Sequence, residues 1–102
     1  MIAVVSNEGG EVSAAVTEPD DLKRLHAEFR AVGDADAAAA LAAAGLGTVD
    51  GDNVWLSAAA LRAAGDGSAD WLAGFEAMLG YAASKGWAST DGELVRAHIV
   101  RS

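Results

Sequence analysis

A chain of 102 residues is long enough to bury one hydrophobic core and too short for a second catalytic lobe, so a single domain spanning 1–102 is expected. Fifteen acidic against seven basic side chains give a net charge of -8, which repels phosphate backbones and anionic lipid heads at long range and argues against nucleic acid and membranes as partners. The lack of cysteine removes disulfides, thiolate metal sites and a cysteine nucleophile.

The opening stretch MIAVVSNEGG has no basic start and its apolar run is brief, which reads as neither a signal peptide nor a membrane span. A cytoplasmic protein is therefore expected. Residues 2–6 and 12–17 are short and rich in β-branched side chains, and the glycines of NEGGE between them suit a hairpin turn. The stretch TEPDDLKRLHAEFRAVG carries two periodicities at once. Leu22, Leu25, Phe29 and Val32 recur at helical spacing behind a helix-start cluster at Thr17, Pro19, Asp20 and Asp21. Leu25, Ala27, Phe29 and Ala31 also alternate with Arg24, His26, Glu28 and Arg30, as a half-buried strand requires. Both readings stay open; a helical turn at 19–23 and a strand at 24–31 is preferred, because it would extend the hairpin into a meander.

A helix is expected next, capped by Asp34, filled by alanines and ended at Gly45, with Leu46 packing back on Leu41. TVDGDNVWL places a tight Asp50-Gly51 turn between two short apolar segments, and Ser57 caps a short helix to about Ala64. After the GDGS loop, Ser68 caps a helix over 69–85, in which Trp71, Phe75, Leu79 and Ala82 form an apolar stripe flanked by Leu72 and Met78. WASTDGELVRAHIV reads as a closing hairpin that turns at Asp91-Gly92. The expected class is α+β: a mostly antiparallel sheet with N-terminal and C-terminal hairpins and two to four helices on one face.

Chemistry concentrates in two segments, RLHAEFR at 24–30 and RAHIVR at 96–101, which hold both histidines. The two-residue period of a strand puts Arg96 and His98 on one face, and Arg24, His26, Glu28 and Arg30 likewise share a face. Adjacent strands would merge these into one patch, with His98, His26 and Glu28 as acid–base groups and Arg96, Arg30 and Arg24 as anion-holding groups. The bland rival is a solvated sheet face with weak cross-strand ion pairs. Two histidines and Glu28 match a two-His-one-carboxylate count, but the arginines oppose a dication and no His-x-His or HExxH spacing occurs, so neither metal nor cofactor is expected. Trp71 belongs to the core stripe, while Trp55 and Trp87 stand at element ends, where they close a core edge or line a binding pocket. Tyr81 falls beside the stripe, where its hydroxyl either serves as an acid or merely reaches water. GLGTVD lacks the third Rossmann glycine, no GK[ST] loop or GxSxG elbow is present, and DGSAD fails as a calcium loop at Trp71 and Ala77.

Two functions follow. The first is a small non-catalytic interaction or regulatory domain that self-associates into a homo-oligomer through sheet edges or its Ala-rich helix, with a small anionic ligand or a protein as partner. The second is a cofactor-free enzyme, an isomerase, lyase, cyclase or hydrolase, that uses the His/Arg patch on an anionic small molecule.

Overall fold

The computed structural model describes residues Met1–Ser102 as nine elements. In chain order they are β1 (Ile2–Glu8), β2 (Glu11–Thr17), β3 (His26–Arg30), α1 (Asp34–Ala43), β4 (Gly47–Asp50), β5 (Asn53–Ser57), α2 (Ala58–Ala64), α3 (Ala69–Ser84) and β6 (Leu94–Arg101). The class is α+β with three helices. The six strands form one sheet in the order β2-β1-β3-β6-β5-β4.

The opening hairpin forms and is longer than the residue types required. Gly9 and Gly10 both take positive φ, 63° and 91°, so β1 and β2 meet in a two-residue turn and pair from Glu8↔Glu11 to Ile2↔Thr17. Residues 26–30 form a strand after the turns at 19–23, but it does not extend the hairpin as a meander. β3 lies beside β1 and runs parallel to it, and β6 runs parallel to β3 on the other side. Parallel pairs therefore occupy the middle of the sheet and antiparallel pairs its two ends, so the sheet is mixed where a mostly antiparallel one was expected.

The expected C-terminal hairpin is also corrected. Its first arm is no strand: Ala88 makes one bridge to Val95, the Trp87 carbonyl accepts from the Arg96 N–H at 2.6 Å, and the Ser89 N–H donates to Leu94 at 2.9 Å. Beyond these contacts, Asp91 captures the Ser89 hydroxyl and the Glu93 N–H in a local turn, which ends the pairing.

Alternate residues of the strands fill one face. Ala3, Val5, Ala27, Phe29, Val54, Leu56, Ala97 and Ile99 form a single buried cluster with Ala37 and Leu41 of α1, Leu61 of α2, and Trp71 and Phe75 of α3. All three helices thus lie on one face. α1 touches β2 and β4, the strands at opposite ends of the sheet, so the sheet curls around it. Ser57 and Ser68 cap α2 and α3 as expected, by accepting from the N–H groups of Ala60 and Trp71. Asp34 does not cap α1: Gly33 takes the cap position, while the Asp34 carboxylate receives two donors from Arg101, whose third nitrogen reaches Asp52. Gly45 ends that helix in the left-handed region, and the Leu46 N–H returns to the Leu41 carbonyl. No helix is long and apolar enough to cross a membrane.

Candidate functional site

The β3–β6 ladder starts at His26↔His98, although β6 itself begins four residues earlier, at Leu94. Residues 94–97 pair with β5 on one side and have no β3 partner on the other. There the chain before β3 swings away, held by three hydrogen bonds. The backbone nitrogen of Met1 donates to the carbonyls of Asp21 and Arg24, and the Trp71 indole N–H donates to the Pro19 carbonyl at 2.9 Å. A cleft of about 780 Å3 opens between this segment, the second half of α3 and the start of β6. A smaller hollow of about 240 Å3, lined by Leu25, Asn53, Trp87, Arg96 and His98, adjoins it across Leu25, Trp87 and Arg96.

The histidine echo in the sequence is therefore a true juxtaposition. His26 and His98 are register partners on adjacent strands, whose spacing is about 4.7–4.9 Å. Both lie on the face away from the helices, with His26 half-buried at the cleft and His98 exposed in the hollow. Glu28 follows on the same face of β3. Its Oε1 lies 3.2 Å from His26 Nε2, and its Oε2 receives both Nε and Nη2 of Arg30. Arg30 first, and His26 second, hold the Glu28 carboxyl below the usual glutamate range. An ionised carboxylate only accepts, so His26 Nε2 must be the donor, and in the neutral ring Nδ1 keeps its lone pair. One strand face thus carries Arg30, Glu28 and His26 in series, with His26 lining the cleft.

Charge in the cleft is opposite to that of the chain. Arg30, Arg62 and Arg101 are bonded to carboxylates, which leaves Lys23, Arg24, Lys85 and Arg96 of the seven cationic side chains without an acidic partner. Three of these four line the cleft; Lys85 stands beside it, 5.6 Å from the ring centre of Tyr81, which is itself a lining residue. No Asp or Glu lines the cleft or the hollow.

Of the residues singled out from sequence, His26, Arg24, Arg96 and Trp87 line the cleft and His98 the adjoining hollow. Glu28 and Arg30 stand behind His26. Trp55 is outside the lining: its indole N–H donates to Asp50, and its ring lies 6.0 Å from the Arg96 guanidinium, supporting that side chain from the open face of the sheet. Sequence reasoning gave no site role to Leu22, Lys23 or Leu25, nor on α3 to Gly74 or Met78, and weighed Tyr81 only through its hydroxyl. The spacing of the last three, four residues and then three, marks a second helix face offset from the core stripe. Histidine and carboxylate side chains do not gather in threes anywhere in the molecule, and both Glu28 oxygens are already engaged.

No family model, no characterised protein and no solved structure shows a significant match to this chain.

Proposed function

We propose that the protein is a small interaction or regulatory domain that takes an organic anion into the cleft between α3 and residues 22–26. The observation that carries this reading is the collection of every carboxylate-free cation of a strongly acidic chain around one cleft whose lining contains no acid. Arginine without an internal partner is a strong donor to a carboxylate or phosphate, and a cleft of this size falls in the range of about 300–1,000 Å3 typical of small-molecule sites. Titration with small carboxylates, followed by tryptophan fluorescence, is expected to perturb Trp87, and the pair Arg24→Gln, Arg96→Gln should remove the response. A response unchanged in that double variant would refute the assignment.

A second reading, acid–base catalysis on the bound anion, is favoured by one observation, the orientation of His26 by Glu28. Its test is exchange of α-protons of a bound keto acid with deuterium in D2O, expected to stop in His26→Gln while binding persists. Self-association into a homo-oligomer is proposed separately, on the outer edges of β2 and β4, which have no partner strand. Sedimentation is expected to show a mass rising above that of the monomer with concentration, and a constant monomer mass would rule it out.

A further inference from the structure

We infer that the ligand of this cleft is an amphiphilic monocarboxylate, with an apolar body lying along α3 and a carboxylate head between Arg24 and Arg96. The inference rests on the reading of the cleft as an anion site and adds to it the shape and chemistry of the anion.

Three features lead there. Eight of the thirteen lining residues are hydrophobic, the buried ones being Ala82 and Val95, whereas Lys23 and Arg24 are exposed and Arg96 is half-buried. A floor of aliphatic carbon below a basic rim gives an inorganic anion nothing to bury, while an apolar tail gains by leaving water. The second feature is a pair of uncovered aromatics at the mouth. Tyr81 is 59% exposed and Trp87 39%, and their rings meet edge to face at 6.0 Å. A ligand body resting on them would cover the largest apolar groups left in water near the cleft, and Met78 beside them has a flexible side chain suited to tails of different shape. The third is the combination of head group and net charge. Two arginines offer planar donor forks that match a carboxylate, and a chain of net charge -8 repels a dianion about twice as strongly as a monoanion at long range.

Gly74 and Leu22 both line the cleft, and a Cβ at Gly74 would stand 2.7 Å from Leu22 Cδ1, the end of a side chain that can turn aside. Ala77, one turn before Tyr81 on α3, lines the cleft and is exposed, and a larger side chain at this position projects into the ligand space without entering the core.

Calorimetry or Trp87 fluorescence with acetate, butanoate, hexanoate and octanoate, each below its aggregation threshold, tests the inference. Affinity is expected to rise about three- to fourfold per buried methylene. Arg24→Gln with Arg96→Gln should weaken octanoate by at least tenfold, and Ala77→Phe should weaken octanoate while sparing acetate, with the melting temperature lowered by only a few degrees, the helix-propensity cost of replacing alanine. Equal affinity from acetate to octanoate overturns the amphiphile and leaves the anion site standing. Octanol binding as tightly as octanoate overturns the anion site itself. Binding to phosphatidylglycerol vesicles without binding to monomeric octanoate overturns the inference in favour of a lipid surface, and binding to none of these probes overturns both readings.

Discussion

Glu28 is the side chain on which the arrangement at the cleft depends, because it fixes which nitrogen of His26 holds the proton. Arg30 and His26 depress its folded-state pKa below the unfolded value, so its contribution to stability is full above the ordinary glutamate pKa of about 4.5 and is lost as pH falls through the lower folded value. Glu28→Gln should therefore be less stable than the parent at neutral pH, and the gap should close in acid. Thermal melts between pH 7 and pH 3 check this; a gap that stays constant with pH would show that Glu28 acts through packing alone. Two glycines give a test of local geometry with opposite signs. Gly80 lies within α3, and a Cβ there would touch nothing, so Gly80→Ala should stabilise by about 0.5–1 kcal/mol through helix propensity. A Cβ at Gly65 would overlap the Trp71 indole, so Gly65→Ala should destabilise by about 1–3 kcal/mol. Denaturant titration of the two variants reads both signs.

Among the elements, α3 was the most legible in sequence, since Trp71, Phe75 and Ala82 recur at helical spacing and all are buried. Phe75 is fully buried and stacks on Trp71 at 5.0 Å, and Phe75→Ala should cost ~3–5 kcal/mol, measured by denaturant unfolding. A cost under ~1 kcal/mol, typical of surface sites, would mean that this face is not the one holding the core. β3 was half legible. Its alternation could be seen, but the same residues satisfied a helix, and what decides for a strand is that Ala27 and Phe29 complete a face begun by Ala3 and Val5 on β1, a contact invisible to a local pattern. Parallel pairing of β1, β3 and β6 was illegible for the same reason: two-residue alternation tells which side chains share a face but not which strand lies next to which. The closing hairpin was misread because Asp91-Gly92 is a genuine turn, yet Ser89 and Asp91 close it early and β3 takes the rest of the β6 edge. The site inherits these outcomes. His26, His98, Arg24 and Arg96 were visible as residues, whereas the cleft exists because the β3–β6 ladder starts late, a matter of register that no single segment records.

Taken as a whole, the molecule sets a local field against a global one, and ionic strength should separate them. At about 0.01 M salt the Debye length is about 30 Å, comparable with the molecule's 39 × 26 × 21 Å extents, so an approaching anion feels the full charge of -8. At about 0.1 M the length falls to about 10 Å, and near the cleft the anion feels chiefly Lys23, Arg24, Lys85 and Arg96. The association rate of a carboxylate such as octanoate is therefore expected to rise over this range and to fall only at higher salt, where the cleft's own attraction is screened in turn. An ordinary cationic site on a basic protein gives the opposite initial slope. In Arg24→Gln alone the early rise should persist, because repulsion by the rest of the chain remains, while the fall at high salt should shrink with the local attraction. Stopped-flow fluorescence at graded salt concentrations measures both limbs. A rate that declines steadily from the lowest salt would show that the cations at the cleft outweigh the fifteen acids at every distance, and that the negative charge of this chain does not act on its ligand.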